Sequence, residues 1–289
     1  LYLDIQLDNH AFFSLATTLG TQMNFQTFAP SPALASLVRC IWTLEVPASP
    51  AVQTFRFLPD GCPELLLHLG APTRHRLHNG NVYEDCPAWL LGPMKGYLDW
   101  QVAGATRCLL VKFQPWVYAT LVGRPAHALS DTLLPWADLQ AHTLFQLRLD
   151  HLAESSAIAC RFLLEEWLRQ FFAGWVPDPD LVASVAAIER QAQRHDGAYC
   201  AAHLPIGRRR LEQKFQQEIG LSPKFYARNM RMHMAVLALR EGGGNRLTSL
   251  AMELGYYDQA HFIREFKQFT GLSPRAFLRG QEEGGRLGA

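Results

Sequence analysis

The rhythm of apolar and polar positions changes near residue 115. Before it, VRCIWTLEV (38–46), ELLLHLG (64–70) and RCLLVKFQ (107–114) are short apolar or alternating runs, punctuated by Pro59-Asp60-Gly61, Asn79-Gly80-Asn81 and Gly92-Pro93. Short runs bounded by such turns predict several strands in a sandwich or barrel. From Trp116 to Trp175 the period becomes helical. In SAIACRFLLEEWLRQFF, Ile158, Phe162, Glu165, Glu166 and Arg169 separate an apolar stripe from a polar one at helical spacing. GWVPDPD (174–180) reads as a linker, because Pro177 and Pro179 disfavour a continuing helix.

Beyond the linker the pattern predicts helices over 181–194, 198–204, 206–219, 223–242, 247–254, 258–270 and 273–280, with GGGN (242–245) as a break. The long helix is expected to carry Tyr226, Met230, Met234 and Leu237 on one face. A passage occurs twice in this part: FQQEIGLSPKFYAR (215–228) and FKQFTGLSPRAFLR (266–279) share seven of 14 positions. Each copy ends one helix and begins another. Gly220 and Gly271 stand where a left-handed residue terminates a helix. Ser222 and Ser273 stand as N-caps, and Pro223 and Pro274 as first-turn residues. Phe215 and Phe266 fall on the buried side of the preceding helix. With a short helix upstream of each copy, CAAHL and LAMEL, the pattern is two helix-turn-helix units joined by the helix 223–241.

LAMELGYYDQAHFIREFKQFTGLSPRAF (250–277) resembles the C-terminal signature of AraC/XylS-type transcription regulators through Ala251, Gly255, Tyr256, Asp258, Gln259, Phe262, Arg264 and Phe266. The resemblance extends over about 181–280. The first unit departs from it, with Gly207 where the family usually has Ser, Gln213 where it has Arg and Pro205 where it has Gly. More weakly, FLPDGCPELLLHLG (57–70) and LVGRPAHALSDTLLPWADL (121–139) are similar to the sensor domain fused to some members. The resemblance implies a cupin-like barrel that binds a small effector or mediates dimerisation. The expected fold is therefore α+β: an N-terminal cupin-like β-barrel with helices, then an all-α domain of two helix-turn-helix units. The expected divisions are 1–22, 23–176 and 177–289. Residues 1–22 read either as a leader outside the folded unit, with Met23 a natural start, or as an ordinary strand and loop.

Charge sharpens the division. Residues 1–176 hold 11 basic and 14 acidic side chains, residues 177–289 hold 16 and 12, and residues 205–279 hold 13 and 6. An excess of +7 in one stretch points that part alone toward a polyanion, double-stranded DNA. The six cysteines, Cys40, Cys62, Cys86, Cys108, Cys160 and Cys200, include no C-x-x-C pair and read as reduced thiols in a cytoplasmic protein. No apolar run is long enough to span a membrane. Nucleotide-binding and hydrolase motifs are missing, and so is the Pro- and His-flanked reactive cysteine of methyltransferase-repressors. No cofactor, metal or catalytic residue is expected. RHRLH (74–78) reads as a solvated loop and His68 as a core histidine. Trp42, Trp89, Trp100 and Trp116 read equally as core or as the lining of an effector pocket.

A recognition helix presents its N-terminal residues to base edges. In the second unit these are Asp258, Gln259 and His261, with Arg264 one turn on; in the first they are Arg208, Arg209, Glu212 and Gln213. Gln suits adenine and Arg suits guanine. Asp258 also reads as a plain N-cap, and the others as solvated side chains. Lys224, Lys267 and Arg275, at helix ends, suit phosphates. The function expected is an effector-controlled, sequence-specific transcription regulator, with RNA polymerase and a second copy of the chain as further candidate partners. The competing readings are a cupin-type enzyme with a DNA-binding appendage and an architectural DNA protein. The effector, the operator, and whether transcription is activated or repressed are not written in the sequence.

Overall fold

The computed structural model describes residues 24–71, 73–84, 86–139, 149–193, 206–242 and 247–285. The leader 1–22, the short helix expected at 198–204 and most of the GGGN break lie outside these residues. Strands β1 (Asn24–Phe28), β2 (Val38–Val46), β4 (Glu64–His68), β7 (Ala88–Leu91), β9 (Thr106–Phe113) and β10 (Leu133–Pro135) form one sheet in the order β1-β2-β9-β4-β7-β10. Strands β3 (Gln53–Phe57), β5 (Thr73–Leu77), β6 (Val82–Glu84) and β8 (Leu98–Val102) form a second, in the order β3-β8-β5-β6. Neighbouring strands within each sheet are antiparallel.

The expected barrel is not formed. Each sheet ends in edge strands, β1 and β10 in the first and β3 and β6 in the second, so neither closes on itself among the described residues. The two sheets instead enclose one core from opposite sides, with Trp42, Leu66, Trp89 and Leu110 facing Phe55, Leu77, Leu98 and Trp100. The periodicity follows from this layering. The larger sheet is buried on both faces, so β4 is buried at every position; β5 alternates, because only one of its faces meets the core. RHRLH is accordingly not a solvated loop. Its first four residues lie in β5, where Arg74 and Arg76 face out while His75 is fully buried. His75 Nε2 lies 3.0 Å from His68 Nε2, and His68 Nδ1 lies 3.2 Å from Cys108 Sγ. Burial depresses both imidazole pKa values, to about 4 at His68 and well below the usual range at His75.

The outer face of the larger sheet is covered by helices. These are α1 (Tyr118–Val122), α2 (Leu149–Glu154), α3 (Ala157–Phe171) and α4 (Pro179–Gln193). Then come α5 (Arg208–Lys214), which runs on into a π-helical turn Phe215–Ile219, α6 (Pro223–Gly242), α7 (Leu247–Glu253), α8 (Gln259–Thr270) and α9 (Pro274–Gly285). Helix α3 ends before Gly174, whose φ of 76° suits glycine, and α4 begins at Pro179. The hydrophobic interior continues across this break: Leu181, Val185 and Ile188 of α4, Leu211 and Phe215 of the first unit, and Tyr226 share a core with Ile41, Leu65 and Val111 of the larger sheet. A separate core joins Met232, Val236 and Leu239 of α6 to Phe262, Phe266 and Phe277, and takes in Leu58 from the strand region. Helix α6 thus packs on two sides. Its fully enclosed residues are Tyr226, Asn229, Met232, Ala235, Val236 and Leu239, whereas Met230, Met234 and Leu237 are half-buried. The single apolar face expected for it is not found.

No disulfide joins the described cysteines, and Cys40, Cys62, Cys108 and Cys160 are buried. Among the described residues no helix is long and apolar enough to cross a membrane.

Candidate nucleic-acid interface

The two copies of the repeat build matching corners. Gly220 and Gly271 have φ of 85° and 77°, left-handed values that any Cβ makes costly. Ser222 Oγ accepts from Phe225 N and Ser273 Oγ from Ala276 N, both at 3.2 Å, so each serine caps the helix that its proline opens. Phe215 and Phe266 are fully buried. The copies differ in their last turn: Gly220 N bonds Phe215 O, closing the π-helical turn, whereas Gly271 N bonds Lys267 O, one residue nearer.

In the second unit α7 and α8 meet at a turn where Gly255 takes φ 75° and Tyr256 N bonds Ala251 O. Asp258 is the N-cap of α8, its carboxylate accepting from His261 N at 2.6 Å. Its capping role is therefore real, and it sits exposed at the same time. Gln259 is half-buried and its Oε1 accepts from Thr248 Oγ1 at 2.8 Å, tying α8 to α7. His261 lies edge-on to the Tyr256 ring, with Nε2 3.5 Å from Glu265. Arg264 and Lys267 are exposed on α8, and Arg275 on the first turn of α9. Asp258, His261 and Arg264 therefore share one accessible end and flank of the helix.

In the first unit Arg208, Arg209, Arg210, Glu212 and Gln213 are all exposed on α5. Arg208 pairs with Glu212 at 3.0 Å one turn on, an exposed contact of about 0–1 kcal/mol that a stronger partner can displace. Gly207, at the N-cap, supplies no side-chain bond to the helix start. Lys214 pairs with Asp178 and so ties the helix to the segment preceding α4. Lys224 is exposed on the first turn of α6.

One brace is illegible in the sequence. Glu265, on the inner side of α8, is buried; it accepts from Arg228 Nε at 2.8 Å and lies 3.4 Å from Arg231 Nη2, both on α6. A spacing of three residues puts the two arginines on one helix face, but nothing in the text names their partner beyond the turn.

Residues 200–280 match a family model described as a helix-turn-helix domain, and residues 26–135 match one described as a domain of unknown function, DUF6597. The arabinose operon regulatory protein of Escherichia coli K12 is 33% identical over 88 residues, which is 30% of either chain. Through its helix-turn-helix region the chain is similar to regulators of the AraC/XylS type. A second relative, the uncharacterized HTH-type transcriptional regulator YidL of the same organism, is 28% identical over 127 residues, 42% of either chain. The chain thus spans less than half the length of these curated relatives. Among solved structures, ToxT from Vibrio cholerae aligns over 90% of this chain and 98% of its own, at 12% identity and a TM-score of 0.46.

Proposed function

We propose that this chain is an AraC/XylS-type, sequence-specific, DNA-binding transcription regulator under the control of a small-molecule effector. The observation that carries the reading is the pair of exposed, basic helix flanks, Arg208–Arg209 and His261–Arg264, on corresponding helices of two like corners, joined by one helix of 20 residues. Such a helix is about 30 Å long at 1.5 Å per residue, close to the roughly 34 Å between successive major grooves on one side of B-DNA. In this reading Arg208, Arg209, Gln259 and Arg264 meet base edges, with Glu212, Gln213, Asp258 and His261 beside them. Lys224, Lys267 and Arg275 meet phosphates. Two of these break a local rule: Lys224 and Arg275 sit in the first turns of α6 and α9, where the helix dipole disfavours a cation. A phosphate partner gives a reason for both. The names of the arabinose operon regulatory protein and of YidL agree with this reading.

The division at 177 then separates an effector-sensing and dimerising part, 23–176, from the reading part. The space between the two sheets is the proposed effector site. Two cavities there, of about 10 and 20 Å³, share Trp42, Phe57, Glu64 and Leu91 as lining. Each has room for about one water, so an effector must part the sheets. Trp100 Nε1 and His75 Nδ1 are buried there without a hydrogen-bond partner among the described residues, which favours an occupant with polar atoms to offer. RNA polymerase, a second copy of the chain and a cytoplasmic setting complete the proposal.

Selection of bound duplexes from a random-sequence pool by the full chain tests it. A recurrent, asymmetric site of about two helical turns is expected, with affinity that falls steeply as salt rises. Binding that neither enriches a sequence nor responds to salt would overturn the reading.

A further inference from the structure

Both glycine corners of the repeat are pressed against the strand-bearing part of the chain. A Cβ on Gly220 would stand 2.8 Å from Pro93 Cγ and 2.9 Å from Ala126 O, and Ser130 Oγ donates to Gly220 O at 2.6 Å. A Cβ on Gly271 would stand 2.5 Å from Arg56 Nη1 and 2.6 Å from Tyr97. Arg56 Nη1 donates to Thr270 O at 3.2 Å, at the last residue of α8. That guanidinium is itself held from two sides. Asp99 accepts from Nε and Nη2 at 2.6 and 2.7 Å, and the Tyr97 ring lies 3.8 Å beneath. Between the two corners, the loop after β3 grips α6: Leu58 enters the core of the second unit, and His233 Nε2 donates to Pro59 O at 2.6 Å.

A left-handed turn needs glycine, but it does not need to be covered. Gly80 and Gly174 also have positive φ, and a Cβ on either would meet nothing within 4 Å. The corners of the repeat are thus sockets as well as turns. The contacts fall at the C-terminal ends of the two reading helices and leave their exposed N-terminal flanks untouched, so they do not mask the proposed DNA face. They fix its direction. Helix α8 has 12 residues and is about 18 Å long. A pivot of about 10° at its C-terminal end moves the N-terminal end by about 3 Å, close to the 3.4 Å rise of one base pair.

We propose that Arg56 and Ser130 are positioning residues for DNA recognition: the strand-bearing part holds each reading helix by its glycine corner and so sets the spacing and phase of the two half-sites one chain reads. The inference rests on the DNA-reading function proposed above. It makes the strand-bearing part a caliper for the two units, with Arg56, Asp99 and Tyr97 clamping the second and Ser130 the first.

The test uses the full chain and a duplex enriched from the random-sequence pool, rebuilt with one base pair inserted or deleted between its two protected halves. For the unsubstituted chain each change should weaken binding about tenfold, the scale of one lost base contact. In Arg56→Gln the loss should shrink to about threefold or less, while binding to each half alone stays within about twofold of the unsubstituted chain. Arg56→Lys, which keeps a donor within reach of Thr270 O, should restore part of the spacing dependence. Ser130→Ala removes one hydroxyl and serves as the second, milder variant. It should relax spacing in the same direction. A spacing profile in Arg56→Gln and Ser130→Ala identical to that of the unsubstituted chain overturns the clamp and leaves the DNA reading standing. Equal weakening on halves and on whole sites also overturns it, because that is the mark of general destabilisation. Failure to enrich any sequence overturns both.

Discussion

Asp258 holds two roles in one carboxylate, and their separation is measurable. Its bond to His261 N caps α8, so Asp258→Ala should cost about 1 kcal/mol of stability in urea unfolding, while Asp258→Asn keeps an acceptor and should cost a few tenths. If Asp258→Ala unfolds at the same urea concentration as the parent, the cap carries no stability. Lys112 makes a sharper case. It is buried on β9, with Nζ 2.6 Å from Asp60 and 3.0 Å from Glu64. Burial opposes ionisation of Asp60, but Lys112, His233 and hydrogen bonds from Lys112 and Cys62 outweigh it and hold that carboxyl below its usual range; at Glu64 burial wins and the pKa rises. Lys112→Met leaves Asp60 and Glu64 without their cation and should cost about 3–5 kcal/mol by chemical denaturation. A loss below about 1 kcal/mol would mean that the carboxyls had simply taken up protons.

At the scale of elements, legibility followed the number of buried faces. Helix α8 presents one apolar stripe, Phe262, Phe266 and Phe269, and its bounds and caps were readable in advance. The two GLSP corners were readable because each residue there answers a backbone requirement that is local. Helix α6 was legible in its bounds, 223–242, but not in its packing: it serves two cores, so its apolar residues surround it and no single face stands out. The same applies to β5, where RHRLH looks polar because the two arginines point outward, while its buried histidine meets His68 of the other sheet. The double placement of α6 also sets what its interruption does. Ala235 and Val236 are enclosed, so glycine at both should lower stability by more than the roughly 1 kcal/mol per residue of helix propensity, through the added cavity. Glycine at the exposed Lys224 should cost no more than the propensity value. Thermal unfolding of the two variants makes the comparison.

For the molecule as a whole, the decisive contact is the shared interior. A fragment of residues 177–289 would lose the part of the core around Leu181, Ile188, Leu211, Phe215 and Tyr226 that the larger sheet and its covering helices supply in the full chain. Such a fragment should unfold at lower temperature than the full chain and bind an apolar dye; a fragment as stable as the parent would show that the shared core is dispensable. His233 supplies a pH signature of the same interface. Burial, opposed in part by Asp60 and the bond to Pro59 O and reinforced by Lys112 and Arg39, lowers its pKa from 6.5 to about 4. Above pH 6.5 the imidazole is neutral in folded and unfolded chains alike. As pH falls from 6.5 toward 4 the unfolded chain takes up a proton that the folded one refuses, so stability falls, by about 3 kcal/mol over the window. His233→Asn removes this proton uptake. The difference in unfolding free energy between variant and parent should therefore shift in the variant's favour as pH falls from 6.5 to 4, and a difference constant with pH would sink the assignment.

What the sequence determined by itself is what depends on neighbours within a few residues: the strand and helix rhythm, the paired corners, the serine caps, the +7 stretch and the helix-turn-helix character of the C-terminal part. Those rest on backbone dihedral preference, local hydrogen bonding and charge, all of which act within a turn or two. The tertiary structure decided the rest. It left the sheets open where a barrel was expected, because closure depends on how edge strands meet and not on any strand's own pattern. It placed Arg56 on Thr270 O, 214 residues away, and Ser130 on Gly220 O, 90 residues away. Contacts at such separations leave no period in the text; they exist only once two surfaces, each specified for its own core, are brought together.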